Sequence, residues 1–281
     1  IMSIFDAVLA QYEKSKNATS GNSNKMSSED RMKRYFAAIL PKGENSGQRR
    51  IRILPTTDGS SPFKEVWFHE IQVDGKWIKL FDPAQENLRS PLNEVHDALM
   101  QTGVESDRDA ARNYRSRKFY IVKVIDRDHE SDGVKFWRFK HNHKGDGVID
   151  KIFPIFRNKG DVTNPENGRD LILSLTLTKA GTGKEYTVIN SVLNDDPSAL
   201  HTDADVAKTW LDDELTWSDV YSRKSEDYLE MVARGEVPRW DTASSKWVSN
   251  LTTEETIGSP KSSTPVVDPQ DDAEVDGDLP F

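Results

Sequence analysis

Apolar and polar residues alternate in paired runs through the middle of the chain, and helical spacing flanks those runs. Residues 48–54 alternate around Ile51 and Ile53, with Arg50 and Arg52 on the opposite side, as a strand of period two requires. Residues 63–73 and 76–81 flank Asp74 and Gly75, a dipeptide suited to a tight hairpin turn with two positive φ angles. Residues 118–125 and 134–140 predict a second hairpin across a polar loop, and residues 171–178 and 185–189 a third. Ile4, Phe5, Val8, Leu9 and Tyr12 predict an amphipathic helix over residues 3–14, followed by a Ser/Asn/Gly-rich linker at 17–24. A second helix is expected from Ser27 or Ser28 to just before Pro41, and a third opens at Ser90 and Pro91 and closes at Gly103. Residues 197–235 return to helical spacing, with Val206, Trp210, Leu211, Leu215, Tyr221, Tyr228, Leu229 and Met231 as buried positions.

These elements predict a mainly β protein with helical insertions, of the α+β class, built on an OB-fold core. The expected divisions are an N-terminal helix and linker at 1–25, the core at 26–195, a helical extension at 196–250 and a disordered acidic tail at 251–281. The hydrophobic share of 35% is low for a chain folded throughout, in keeping with such a tail.

Charge changes the picture once it is divided. The net charge is −9, but residues 254–281 carry eight acidic residues against Lys261, which leaves only −2 for the rest. Residues 115–144 hold nine Lys/Arg and four Asp/Glu, a net of +5. A basic stretch and an acidic tail on one chain point to an anionic partner for the first and a basic partner for the second. With no cysteine there is neither a disulfide nor a thiolate metal site, which fits a cytoplasmic setting. No apolar run approaches the roughly 18 residues of a membrane span, so no membrane partner is expected.

Sequence-tolerant binding of single strands needs cations along the phosphates and aromatic faces for the bases, a stack contributing about 1–3 kcal/mol per base. Tyr114, Arg115, Arg117, Lys118, Tyr120 and Lys123 supply both, and Lys135, Trp137, Arg138, Phe139 and Lys140 face them on the next strand. Arg50, Arg52, Lys76 and Trp77 complete the candidate DNA-binding set. Alternation puts Phe119 and Tyr120 on opposite faces, and likewise Phe136 and Trp137, so one ring of each pair belongs to a core. The competing reading gives all these rings to the core and leaves the cations merely solvated. Asp276, Asp278, Leu279, Pro280 and Phe281 form an acidic run before an apolar tip, the pattern of a peptide that inserts a ring into a partner's pocket. Enzymatic motifs fail: Gly181, Thr182, Gly183 and Lys184 lack the first glycine and the Ser/Thr of a phosphate loop, and Asp126, Asp128, Glu130 and Asp132 lack the closing Glu of a calcium loop. His141 and His143 have no evident further ligands, and neither catalysis nor a cofactor is expected.

The order of Arg50, Ile51, Arg52, Ile53, Leu54 and Pro55, then Pro62 and Phe63, His69, and Asp74, Gly75, Lys76 and Trp77 resembles a known family. The basic-aromatic strand at 114–126, the strand at 133–139 and Asp150, Lys151 and Ile152 continue the likeness, which spans about residues 49–190. The family is that of the helix-destabilising single-stranded-DNA-binding proteins of T-even-like bacteriophages. The resemblance implies an OB-fold core, single-strand binding in phage replication, recombination and repair, and a regulatory acidic tail. Its structural zinc is implied at His69, but Asp82, Ser90 and Asn93 stand where the family has cysteines, so no metal is expected. The family's basic N-terminal segment is absent, which leaves any self-association along DNA to the helix from Ile4 to Tyr12. The tip is similar to that of bacterial single-stranded-DNA-binding proteins and implies docking of replication and recombination proteins. A protein-binding adaptor with no DNA groove is the alternative.

Overall fold

The computed structural model describes residues 26–249 except 182, 184 and 222. The expected helix at 3–14, the linker and the acidic tail with its tip lie outside the described residues. A first helix, α1 (Ser28–Lys33), is followed by the two-residue strand β1 (Tyr35–Phe36) and then by β2 (Ser46–Ile53). The hairpin β3 (Lys64–Val73) and β4 (Lys76–Phe81) turns through Asp74 at φ 52° and Gly75 at φ 74°, the two positive angles its sequence required. Next come α2 (Pro91–Gln101), α3 (Glu105–Ala111), β5 (Ser116–Asp126), β6 (Val134–Lys140) and α4 (Val148–Lys159). A long hairpin, β7 (Gly168–Lys179) and β8 (Glu185–Ser198), precedes α5 (Ala204–Leu211), α6 (Trp217–Val220) and α7 (Glu226–Ala233), and a small hairpin, β9 (Pro238–Asp241) and β10 (Lys246–Ser249), closes the described chain. The class is mixed, with strands dominant.

Eight strands form one sheet in the order β1-β6-β5-β2-β7-β8, with β3 alongside β5 and β4 alongside β3. Two strands change neighbours along their length. β2 pairs with β7 over Ser46–Ile51 and with β5 over Ile51–Ile53, while β5 pairs with β3 over Ser116–Ile121 and with β2 over Val124–Asp126. The sheet curls around an interior of Ile51, Ile53, Tyr120, Val122, Val124, Trp137, Phe139, Leu171, Leu173 and Leu175, against which α4 sets Ile152 and Ile155.

Period two sends the alternate residues of β5 and β6 to the other face, and that face is buried too. Phe119, Ile121 and Phe136 pack with Val66, Phe68 and Phe81 under Val220 and Tyr221 from the segment around α6. The back of the β3–β4 hairpin, through Ile71 and Leu80, packs on Leu92 of α2 and on Tyr228, Leu229 and Val232 of α7. Among the described residues no helix is long and apolar enough to cross a membrane.

Two expectations need correction. The helix expected up to Pro41 stops at Lys33, because Tyr35 and Phe36 pair in parallel with Phe136 and Trp137 and Phe36 is buried there. Residues 196–250 are not a purely helical extension. They hold three short helices and β9–β10, and Val220 and Tyr221 complete a core of the sheet rather than standing apart from it. Trp137 is 0% exposed between Phe36 and Phe139, at 5.7 and 4.6 Å between ring centroids. Trp137→Ala is expected to cost about 3–5 kcal/mol of stability through the cavity it leaves, read from urea unfolding monitored by circular dichroism.

Candidate nucleic-acid interface

Burial sorts the fifteen candidate DNA-contacting residues. Trp137 and Phe139 are interior, and Tyr120 is buried with its hydroxyl 3.3 Å from His141 Nδ1. None of the three can stack on a base, because both faces of the β5–β6 ribbon are covered. Arg52 is wholly buried: it donates to Asp170 Oδ1 at 3.0 Å and to the Ser198 carbonyl at 2.6 Å. Burial lowers its pKa, with Asp170 opposing that effect. Lys135 is buried on Asp132 at 2.7 Å and Asp126 at 3.5 Å. Arg138 is buried with its guanidinium 4.6 Å from the Tyr221 ring centre. Lys123 donates to the Asp213 carbonyl at 2.5 Å and tethers the chain entering α6. Half-buried Tyr114 packs beside the α2–α7 cluster, and burial raises its hydroxyl pKa. These eight are structural. Arg50 is exposed but distant in register from the β3–β4 tip, and pairs with Asp195 at 3.1 Å.

Of the remaining six, Trp77, Arg117 and Lys140 come together where the cover of the ribbon's front face ends. Cross-strand register puts Trp77 and Lys79 of β4 opposite Gln72 and Glu70 of β3, and Phe68 opposite Arg117 of β5. Phe119, two residues on, is opposite Lys140 of β6. Trp77, Lys79, Glu70, Arg117 and Lys140 therefore share one face with Phe68 and Phe81, which form its sealed end. Trp77 is 52% exposed, and Lys76 at the turn and Arg115 before β5 are exposed as well. Glu70 lies between two of the cations, 3.0 Å from Lys140 and 3.5 Å from Arg117. Lys118, on the reverse face, pairs with Glu65 at 3.1 Å and covers the Tyr120 ring at 5.3 Å. This arrangement, called the trench below, is an open strand face with a partly exposed indole and several cations, a surface suited to a phosphate-linked strand with unpaired bases.

Three trench residues escaped the sequence reading. Lys79 follows Trp77 by two on the same strand face, a spacing that was there to be read. Trp217 stacks on Phe81 at 5.7 Å, and Arg223 lies 4.3 Å over the Phe81 ring, at the sealed end. No local pattern announces that residues so far along the chain return to β4.

Residues 45–235, more than half of the chain, match the family model described as gp32 DNA binding protein like. The chain belongs to this family. It is thus a member of a DNA-binding protein family, and the trench from Glu70 to Arg223 falls within the matched residues, whereas β9–β10 falls beyond them. No curated protein matches the chain.

The zinc implied by the family resemblance can be tested on the donors present. His69, Asp82, Ser90 and Asn93 do converge, and they are engaged with one another. His69 Nδ1 donates to the Tyr114 carbonyl at 2.7 Å, and its Nε2 lies 3.5 Å from both Asp82 Oδ1 and Ser90 Oγ. Asn93 donates to both Asp82 oxygens at 3.1 Å, and the Ala84 amide donates to Oδ1 at 3.0 Å. A hydroxyl and a carboxamide are weak ligands, and one imidazole and one carboxylate do not close a tetrahedral site. Among the described residues no group of three His, Cys, Asp or Glu is placed to hold an ion. The residues do not fit zinc; hydrogen bonds tie β3, β4 and α2 together at that point.

Burial alone would raise the Asp82 carboxyl, but its contacts with His69 and the Ala84 amide outweigh this and hold it well below the usual carboxylate range. A depressed carboxyl contributes stability above its unfolded pKa of about 3.9 and loses it as pH falls through the folded value. Thermal melts are therefore expected to decline below about pH 4, to lose much of that decline in Asp82→Asn, whose melting temperature is also lower at pH 7, and to be unaffected by a chelator.

Proposed function

We propose that the chain binds single-stranded DNA without strong sequence preference, in the cytoplasm of a host cell, during phage DNA replication, recombination and repair. The observation that carries this reading is the half-exposed indole of Trp77 on one strand face with Lys79, Arg117 and Lys140, at the point where the buried front face opens. We read the curled sheet as an OB-type barrel. In support, β2, β5 and β6 form a meander, α4 lies between the third and fourth barrel strands, and β2 pairs with both β5 and β7. The β3–β4 hairpin with α2 is an insertion that supplies one wall of the trench.

Binding proceeds by exchange of ionic partners. Lys140 and Arg117 face Glu70 across contacts in which all three side chains keep some exposure to water, and a phosphate can take the carboxylate's place. A base then stacks on Trp77. Arg52 and Lys135 cannot make this exchange, because their own side chains are buried and a phosphate could reach them only by giving up its hydration inside the fold. The acidic tip with Asp276, Asp278, Leu279, Pro280 and Phe281 is assigned the recruitment of basic pockets on replication and recombination proteins, and the tail as a whole weak competition for the trench.

Titration of the full chain with oligo-dT by anisotropy tests the reading. Trp77→Ala is expected to weaken binding about tenfold, within the range for one lost stack. Lys140→Ala is expected to reduce the log–log salt slope by about 0.7, one phosphate contact on a single strand, and Lys135→Ala to leave the slope unchanged in the folded protein. Deletion of residues 255–281 is expected to tighten binding. A wild-type chain that ignores oligo-dT at low salt would sink the proposal and leave the adaptor reading in its place.

A further inference from the structure

The β9–β10 hairpin carries an aromatic cluster that the trench does not use. Trp240 and Trp247 are directly opposed across the two strands, with ring centroids 5.3 Å apart at 70°. Trp247 is anchored edge-on to Tyr228 of α7 at 4.8 Å and packs beside Val73 and Ile78, on the back of the β3–β4 tip. Trp240 is 52% exposed, as exposed as Trp77 on the front of the same tip. A folded hairpin of four-residue strands that leaves an indole in water has one ring for its own packing and one to spare.

The charge around this cluster is unusual for the molecule. Lys224 Nζ sits 5.1 Å from the Tyr228 ring centre and 5.5 Å from that of Trp247. Its pKa is lowered by burial and secondarily by the positive field of Arg31 on α1. Neither forms an ion pair with a carboxylate among the described residues. The nearby acids are mostly engaged elsewhere: Glu226 and Glu230 with Arg89, Glu236 with Arg234, and Asp241 with the amides of its own turn. Asp227, exposed on the first turn of α7, is the exception. By contrast, half-buried Lys123 and Arg34 share the Asp213 carboxylate. A half-buried lysine set over aromatic rings without a carboxylate partner favours an incoming anion, and a phosphate adjoining a planar base answers both features at once.

The two aromatic regions are joined by consecutive residues. Arg223 lies over Phe81 and Trp217 at the sealed end of the trench, and Lys224 lies over Tyr228 and Trp247 at the hairpin. We propose that the hairpin is a second stacking platform for the same single strand, which leaves the trench past Arg223, sets a phosphate near Lys224, and lays a base on Trp240. This inference rests on the single-strand reading of the trench and lengthens the site rather than replacing it.

The test is anisotropy of the full-length protein with labelled oligo-dT of about 6 and about 16 nucleotides, lengths within the span of known single-strand sites. Trp240→Ala is expected to leave the short oligonucleotide's affinity unchanged and to weaken the long one about tenfold. Trp240→Phe, which keeps a ring, should recover most of the loss, and Trp77→Ala should weaken both lengths. If Trp240→Ala matches wild type on both lengths while Trp77→Ala is weakened, the platform is overturned and the trench stands. An equal loss on both lengths with Trp240→Ala likewise overturns it, since the ring would then act on the trench. If Trp77→Ala changes nothing on either length, the trench reading fails, and this inference fails with it.

Discussion

One constraint organises the molecule: the β5–β6 ribbon is buried on both faces. An antiparallel sheet ordinarily turns one side to the core and the other to water. Here the alternate residues Tyr120 and Val122 fill one core, while Phe119, Ile121 and Phe136 fill a second beneath Val220 and Tyr221. Every ring in the middle of the ribbon is therefore structural. Only at its end do Arg117 and Lys140 emerge in part from the cover.

The same constraint divides the cations into two populations. Arg52, Lys135 and Arg138 lie where water is excluded, and each is balanced locally by a carboxylate or by aromatic faces. Lys79, Arg115, Arg117 and Lys140 lie where water and salt still screen them, and Glu70 fixes the positions of two without immobilising them. The sequence shows a single basic-aromatic stretch. The fold splits it by depth, and depth decides which charges remain available to an outside partner.

This split explains what was legible in the sequence. The β3–β4 turn could be read from Asp74 and Gly75, because only local backbone sterics are involved. The strands at 116–126 and 134–140 could be read from their composition. The helix opening at Ser90 and Pro91 could be placed, although the serine hydroxyl approaches His69 instead of capping the helix. What could not be read was which face of each strand lay open. That depends on residues 215–221 folding back over Phe119 and Phe136, a contact with no local signature. β1 escaped because two residues paired in parallel carry no periodicity, and β9–β10 because strands of four residues are too short to show one. Of the rings singled out from the sequence, Trp77 is exposed on the open strand face, whereas Tyr120, Trp137 and Phe139 lie inside the fold.

The late arrival of that cover has a consequence for synthesis. Phe119, Ile121 and Phe136 leave the ribosome well before Val220 and Tyr221, the residues that shield them. At about 5–20 residues per second, the stretch between Phe136 and Tyr221 takes roughly 4–17 s to translate. Throughout that interval the nascent chain presents a wet aromatic surface flanked by lysines and arginines, to which chaperones and neighbouring chains have access before the protein can hide it.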